Sequence, residues 1–414
     1  MKAISDLRKG HFLIGMNRFD KNLWTDEGVR QLAEIGADFL ISVESEEPLI
    51  RLCEKYDIGI ISSSNIIPRW VGGDGSNAGK YAREFPVNKL EQFKITYPES
   101  PVVWGDYIAD EPNSLDFKHI NTIVKRYCEL FPKKLPTVNL YPNYASVPQN
   151  TGNQVISQLG NYTHAEHIEQ FVREVDLPYI YFDFYPFTGV FDTYLENLDI
   201  VAQACRKSNR VMGVAVQAGA WKEEAMIESF QLEWQVYMCL AYGAKTIAYA
   251  NYSPGWWNEN TSCVNSKGDK NPIYEWVRNI NSVLHSEFGQ EYLKYEYMGT
   301  CIHGDIQSSD NRIKPQLEQQ NKRAILHGVP GVTVRSDKAV ASGYFKRNGM
   351  TALMLVNTHN PFDRSIEAAI EIEAHNLSRI YLPDNIAEKQ TIKDNTAYLS
   401  IKSGESAFIT LSGD

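Results

Sequence analysis

The sequence predicts an α/β protein: a (β/α)8 TIM barrel followed by a small C-terminal antiparallel β domain. From residue 11 to about residue 289, short apolar runs alternate with amphipathic stretches, as in parallel strands joined by helices. This unit occurs eight times, which favours a closed barrel over a doubly wound sheet. From about residue 291 the pattern changes to period-two strands separated by turn residues. We therefore predict a barrel domain over residues 1–290 and a sandwich-like all-β domain over residues 291–414.

The eight barrel strands are predicted where apolar, β-branched and aromatic residues cluster between polar segments. They are Phe12–Met16, Asp38–Val43, Ile58–Ser62, Val102–Ile108, Pro136–Leu140, Tyr179–Phe184, Met212–Val216 and Thr246–Ala250. Helical periodicity is found over Thr25–Ile35, Pro48–Lys55, Leu115–Leu130, Ala165–Val175, Thr193–Lys207, Glu224–Tyr242 and Pro272–His285. Gly36 and Gly243 each stand between a helix and a strand, so we expect both to end a helix in the left-handed conformation.

In the C-terminal part, alternating patterns predict strands over Ala352–Val356, Ile366–Ile372 and Ser406–Leu411. Asn348-Gly349 and Ser403-Gly404 are turn signals between such strands. The polar stretch Gly304–Gln320 is predicted to be a loop.

Composition limits the range of partners. The net charge of −10 argues against nucleic acid, and the chain lacks an apolar segment long enough to span a membrane. Aromatic residues make up 12% of the chain, which suits carbohydrate binding because flat rings pack on the C–H faces of sugars. The six cysteines are scattered without a CxxC pair, so we expect no metal site, and we expect no cofactor because phosphate-binding motifs are missing.

The N-terminus has no apolar signal core. This predicts a cytoplasmic protein as the sequence is written, or a periplasmic or secreted one if a signal peptide has been removed. The oligomeric state is left open.

The stretch Gly105–Asn113 is the most informative for function. It places the adjacent carboxylates Asp110 and Glu111 where the predicted fourth strand ends. Catalytic groups of such barrels lie at the C-terminal ends of the strands. A carboxylic acid flanked by aromatic residues can hold a raised pKa and donate a proton to a leaving group. The alternative is that the pair caps the following helix.

The other strand ends carry amides, carboxylates and aromatic rings with almost no lysine, which suits a neutral polyhydroxylated ligand better than a phosphate. Asp183 lies among aromatic residues and is expected to be a second catalytic carboxylate. His164 and His167 are interpreted as part of a solvated helix face. The expected substrate-binding residues are Asn17, Glu44, Asn139, Tyr141, Tyr185, Gln217, Trp221, Tyr252, Trp256 and Trp257, with Ser63, Ser64 and Asn65 following the third strand.

Asp110-Glu111-Pro112 resembles the Asn-Glu-Pro acid/base motif of clan A glycoside hydrolases. The segments Leu240–Lys245, Tyr249–Tyr252 and Tyr274–Asn281 look like the last helix–strand unit of bacterial β-galactosidase-like members. The resemblance implies a retaining hydrolase, with Glu111 as acid/base and a second glutamate at the end of the seventh strand as nucleophile.

The sequence departs from that pattern at two positions. Asp110 replaces the usual asparagine, and Gln217 stands where the nucleophile is expected. An amide cannot form the glycosyl ester of a retaining mechanism. Asp183, Glu223 and Glu224 therefore remain alternatives for the second catalytic group.

Three functions are compatible with these residues. The first is a glycosidase acting on a neutral sugar, β-galactoside-like, with Glu111 as proton donor. The second is a substrate-assisted N-acetylhexosaminidase-like enzyme that uses Asp110 and Glu111 and needs no enzymic nucleophile. The third is a barrel that binds carbohydrate without cleaving it. We favour the first.

Overall fold

A computed structural model of the protein describes residues 10–63, 79–147, 158–382, 390–393 and 395–411. Ser64 and Asn65 lie outside the described residues. Eight parallel strands close into a barrel in sequence order, and each lies within two residues of its predicted bounds. They are β1 (Leu13–Asn17), β2 (Phe39–Val43), β3 (Gly59–Ser62), β4 (Val103–Asp110), β5 (Leu135–Leu140), β6 (Tyr179–Phe184), β7 (Val211–Gln217) and β8 (Ala244–Ala250).

The barrel interior is filled by large rings that face glycines on neighbouring strands. A Cβ atom on Gly15 would lie 2.6 Å from the Phe39 ring, and one on Gly59 would lie 2.4 Å from the Trp104 ring. Any larger residue at either glycine would displace these rings, because protein interiors are close-packed. The barrel interior is therefore closely packed at these levels.

Helices surround the barrel and continue beyond it. They are α1 (Asp26–Glu34), α2 (Glu47–Tyr56), α3 (Lys80–Glu84), α4 (Lys89–Thr96), α5 (Phe117–Leu130), α6 (His164–Glu174), α7 (Tyr194–Ser208), α8 (Ser229–Ala241), α9 (Pro272–His285), α10 (Glu287–Tyr292) and α11 (Lys314–Arg323). Gly36 and Gly243 have φ angles of 82° and 90°, which confirms their predicted left-handed conformation. Among the described residues, no helix combines the length and apolar character needed to cross a membrane.

Two predictions about helices are wrong. The helix predicted from Glu224 begins at Ser229, because Glu228 caps its N-terminus and Glu223–Ala225 form a separate short turn. The polar stretch predicted as a loop up to Gln320 contains the start of α11. That helix is held by buried polar side chains, which a hydropathy pattern does not reveal.

The C-terminal part forms two antiparallel sheets, with strand orders β10-β13-β16-β15 and β14-β17-β12-β11-β9. Asn348 and Gly349 have positive φ angles of 46° and 84° and form the tight turn between β11 and β12, as predicted. The strands are β9 (Glu296–His303), β10 (Val332–Ser336), β11 (Val340–Arg347), β12 (Met350–Asn357), β13 (Glu367–Ala374), β14 (Leu377–Tyr381), β15 (Gln390–Lys393), β16 (Thr396–Lys402) and β17 (Ser406–Leu411).

Helix α8 joins the barrel to the C-terminal sheets. Ten of its thirteen residues are buried, as expected of a helix that is covered on both sides. A Cβ atom on Gly343 would lie 2.1 Å from the Ala241 carbonyl oxygen, so β11 passes directly over the end of α8. Glu233 of α8 pairs with Arg364 at 3.2 Å, and Arg364 also pairs with Glu405 at 2.9 Å.

Candidate active site

Asp110 and Glu111 lie at the C-terminal end of β4, which places both carboxylates at the barrel mouth. Glu111 has a φ angle of 46°, and its backbone N–H donates to the Asn139 carbonyl oxygen at 2.9 Å. The short turn that leads into α5 is capped by Asn113, whose side chain accepts from the Leu115 N–H at 3.0 Å. The alternative in which Asp110 and Glu111 serve as the helix cap is therefore wrong.

Asn139 links two carboxylates from neighbouring strands. Its Nδ2 donates to Asp110 Oδ1 at 3.1 Å and to Asp183 Oδ1 at 2.7 Å. The Tyr107 hydroxyl also donates to Asp110 Oδ1, at 2.6 Å. Burial raises the pKa of the Asp183 carboxyl, while hydrogen bonds from Asn139 and Tyr185 act in the opposite direction. Because β4, β5 and β6 are adjacent, their ends form one connected polar network.

Tyr144, which the sequence analysis did not single out, interacts electrostatically with both predicted catalytic carboxylates. Burial raises the pKa of its hydroxyl well above the ordinary value, and the charges of Asp183 and Glu111 raise that pKa further. Tyr144 follows β5 within Tyr141–Tyr144, a loop whose composition is ordinary, so the sequence gives no specific signal for it.

An aromatic wall follows the ends of β6, β7 and β8. Trp221 is 55% exposed and Trp256 is 45% exposed, whereas Trp257 is buried. The ring centroid of Tyr185 lies 6.5 Å from that of Trp256 and 5.2 Å from that of Trp257. The Trp257 indole N–H donates to the Ala250 carbonyl oxygen, which fixes this ring as the base of the wall. The exposed indole rings of Trp221 and Trp256 thus pack against the buried ring of Trp257.

Gln217 ends β7 and its side chain is fully buried. Its Oε1 accepts from the Phe187 N–H at 2.9 Å, and its Nε2 donates to the Gly219 carbonyl oxygen at 2.9 Å. Both ends of the amide are therefore bonded to the backbone of the loops that follow β6 and β7. This arrangement needs a donor and an acceptor in one side chain, which the glutamine amide supplies and an ionised carboxylate does not.

The remaining predicted binding residues differ in their exposure. Asn17 ends β1 and is partly buried. Glu44 forms an ion pair of 2.5 Å with Lys21. Tyr141 and Tyr252 are almost fully buried, at 3% and 0% exposure, so neither presents an open ring face to the mouth.

The interpretation of His164 and His167 as a solvated helix face is wrong, because both side chains are buried. His164 Nε2 is 3.0 Å from the Tyr141 carbonyl oxygen, and His167 Nδ1 is 3.0 Å from that of Leu159. Burial lowers the pKa of His164 to about 4 and that of His167 to about 3, so both imidazoles are neutral at pH 7. His164 therefore anchors the backbone just after β5, and His167 anchors the segment before α6.

A cavity of about 1140 Å³ lies at the opposite, N-terminal end of the barrel. Its lining is strongly basic, which does not suit a neutral sugar, and it contains a single carboxylate. The charged residues that line it are Arg206, Arg210, Lys245, Lys294, Lys346 and Glu296. The C-terminal end of the barrel is therefore the candidate active site.

The sequence matches no protein-family model and no curated protein. Among solved structures, a catalytic mutant of a GH42 β-galactosidase from G. stearothermophilus is similar over 98% of both chains, with a TM-score of 0.60 and 7% identity. A GH2 β-galacturonidase from Eisenbergiella tayi (TM-score 0.46, 13% identity, 65% of this chain and 50% of that one) and a xylanase from Thermotoga petrophila (TM-score 0.44, 10% identity, 69% and 99%) match more weakly. The predicted resemblance to clan A glycoside hydrolases is thus confirmed at the level of the fold, a TIM barrel with a C-terminal β domain.

Proposed function

We propose that this protein is a glycoside hydrolase that cleaves an O-glycosidic bond of a neutral, β-galactoside-like sugar, with Glu111 as general acid/base. The observation that carries the proposal is the hydrogen bonding of Asn139 at the barrel mouth, where one amide group donates to both Asp183 and Asp110, the residue next to Glu111. A pair of carboxylates at one mouth is what glycosidic cleavage requires, because one protonates the leaving oxygen while the other meets the sugar carbon or its attacking water.

In this mechanism Glu111 gives its proton to the leaving-group oxygen, and Asp183 acts as nucleophile or as base for water. A carboxyl separation of about 5–5.5 Å would give retention of configuration, and one of about 6.5–9.5 Å would give inversion. Asn139 holds Asp183 Oδ1 at 2.7 Å and so fixes the direction of that carboxylate. The Oδ1 atom of Asn139 is buried and has no hydrogen-bond partner among the described residues.

The aromatic wall supplies the sugar platform in this proposal. Trp221 and Trp256 expose their rings, while Tyr185 and Trp257 hold them in place. Stacking on C–H faces selects a pyranose without requiring charge. We leave Gln217 out of the sugar contacts, because both ends of its amide are already bonded to backbone.

The second candidate is substrate-assisted cleavage of an N-acetylhexosaminide, and the bonding of Gln217 is the observation that favours it. If the end of β7 supplies no nucleophile, the acetamido oxygen of the substrate can attack the anomeric carbon. Asp110 would then orient the acetamido group and Glu111 would remain the acid. Tyr107 and Asn139 both bond Asp110 Oδ1, so this carboxylate has a fixed direction.

The test is hydrolysis of a panel of nitrophenyl glycosides with and without N-acetyl groups, together with an alkyl galactoside that has a poor leaving group. We expect Glu111→Gln to lose about 10²–10⁴-fold in rate on the alkyl substrate, where acid assistance matters most. Glu99→Gln, which changes an exposed carboxylate shortly before β4 at the opposite end of the barrel, is the matched control and should keep its rate.

The panel separates the candidates. Turnover of galactosides supports the first function, and turnover restricted to N-acetylated sugars supports the second. Sugar binding without turnover of any substrate would favour the binding-only barrel. Near-normal activity of Glu111→Gln on the alkyl substrate would remove Glu111 as the acid.

A further inference from the structure

His11, Asp38 and His285 meet at the N-terminal end of the barrel, far along the strands from Glu111. His11 precedes β1, Asp38 precedes β2, and His285 is the last residue of α9. His11 Nε2 lies 2.8 Å from Asp38 Oδ1, and His285 Nε2 lies 3.0 Å from Asp38 Oδ2. The two imidazole rings lie side by side with their centroids 4.3 Å apart. Each oxygen of one carboxylate thus faces a different imidazole nitrogen.

The carboxylate is held rigidly while the imidazoles remain accessible. Asp38 is 3% exposed, and its Oδ2 also accepts from the Ile14 N–H at 2.9 Å. The side chains of His11 and His285 are 32% and 23% exposed. A solute can therefore reach both imidazoles from solvent, and the backbone holds the Asp38 carboxylate between them in place.

We propose that His11, Asp38 and His285 bind a divalent transition-metal ion, with Zn²⁺ as the best-fitting ion. Imidazole nitrogen and carboxylate oxygen are the donors that zinc takes in proteins, at about 2.0–2.2 Å. Bonds of that length place neighbouring ligand atoms about 3.0 Å apart in octahedral and about 3.4 Å apart in tetrahedral coordination. The nitrogen–oxygen distances here are 2.8 and 3.0 Å, and one set of ligand atoms from the three side chains lies within 4.8 Å of one another.

The ion would replace two N–H···O hydrogen bonds. Each neutral imidazole then carries its proton on Nδ1 and directs the Nε2 lone pair to the metal. One carboxylate and two neutral imidazoles leave a dication with a net charge of +1, which water ligands on the exposed side can solvate. The Ile14 N–H keeps its bond to Asp38 Oδ2 and serves as the outer contact that orients the ligand.

The position indicates a structural role. β1 pairs with β8 to close the barrel, and α9 is the helix that follows β8. A metal held between His11 shortly before β1, Asp38 directly before β2 and His285 at the end of α9 would cross-link the first and last units of the barrel. Groups at the N-terminal face of such barrels contribute to stability, whereas the chemistry lies at the opposite face. This site is therefore independent of the proposed glycosidase function.

The experiment uses the full chain, dialysed against a chelator and titrated with ZnCl₂ by calorimetry, with thermal unfolding measured in parallel. We expect one ion per chain and a rise in Tm of about 3 °C or more at saturating Zn²⁺. The double variant His11→Ala/His285→Ala should lose both effects. His375→Ala, at an exposed position after β13, should keep both.

A second measurement avoids dependence on variants that fold poorly. Zn²⁺ should slow chemical acylation of His11 and His285 in the wild-type chain but not that of His375, as mapped by mass spectrometry. The proposal is overturned if the wild-type chain takes up no Zn²⁺. It is equally overturned if the double variant binds Zn²⁺ as well as the wild type, or if His11 and His285 gain no protection. Any of these results would mean that the three side chains form a hydrogen-bonded cluster and not a metal site.

Discussion

The strand that carries Asp110 and Glu111 contains a third carboxylate, Asp106, which is buried against the outer helices. Its Oδ2 accepts from the Tyr97 hydroxyl at 2.8 Å and from the Tyr127 hydroxyl at 2.5 Å. Its Oδ1 is buried without a hydrogen-bond partner in the described part of the chain. Burial raises the pKa of Asp106 from 3.8 to about 6, although both tyrosines act to lower it. Ionised Asp106 is therefore a destabilising feature of the folded state.

The sign and size of the effect follow from linkage between proton binding and folding. Because the folded pKa lies above the unfolded value, the stability contributed by protonated Asp106 is complete below pH 3.8 and is lost as the pH rises through 6. A pKa difference of this size corresponds to about 3 kcal/mol in the free energy of unfolding, of which about 2 kcal/mol is lost between pH 4.5 and 7.5.

The test is Asp106→Asn, which is neutral at every pH and keeps an oxygen for the tyrosine hydroxyls. We expect its free energy of unfolding to gain about 2 kcal/mol relative to wild type between pH 4.5 and 7.5, as measured by urea denaturation. Asp192→Asn, at an exposed position, is the control and should run parallel to wild type. A constant difference between Asp106→Asn and wild type across this range, or a change of opposite sign, would refute the reasoning.

Three further predictions concern the site and its support. On the acid side of the pH profile, kcat/KM should fall at a pH above 3.8, because burial raises the pKa of Asp183. A fall at or below pH 3.8 would count against Asp183 as the group that must be ionised. Trp256→Ala should raise KM about 5–10-fold with little loss of stability, whereas Trp257→Ala should cost about 3–5 kcal/mol in the free energy of unfolding. If kinetics and urea denaturation gave the reverse order, the assignment of Trp256 to sugar contact and of Trp257 to structural support would be wrong. Gly343→Ala should cost at least about 2 kcal/mol, because its Cβ would lie 2.1 Å from the Ala241 oxygen; unchanged urea denaturation would contradict that contact.

The barrel was predictable because its signal is local. Each strand is a short buried run, and the left-handed glycines Gly36 and Gly243 mark where helices stop. Helix α11 was missed because it is fixed by polar bonds across the chain. Gln316 accepts from the Leu195 N–H at 2.9 Å, and Gln320 donates to the Thr300 carbonyl oxygen at 3.1 Å. Such long-range hydrogen bonds leave no periodicity in the sequence.

The candidate site likewise contains residues that the sequence could predict and residues that it could not. Asp110, Asn139 and Asp183 end three consecutive parallel strands, so topology alone brings them together. Tyr144 depends on the path of a loop, and loop paths are not encoded in hydrophobic periodicity. The bonding of Gln217 was equally hidden, because its partners are backbone groups of two loops.

The geometry at Gln217 bears on where the second catalytic group can lie. A glutamate at this position would have the same length, but its ionised form could not donate to the Gly219 carbonyl oxygen and would bring a charge to a site with no solvent exposure. Burying an unpaired carboxylate costs several kcal/mol, and the group protonates rather than attacks. The surroundings of residue 217 at the end of β7 therefore suit an amide. The exchange of a glutamate for Gln217 alone does not explain why this position lacks a carboxylate. If the barrel cleaves sugars, the attacking group has three remaining sources: Asp183 on β6, which Asn139 already aligns, the loop carboxylates Glu223 and Glu224 after β7, or the substrate itself.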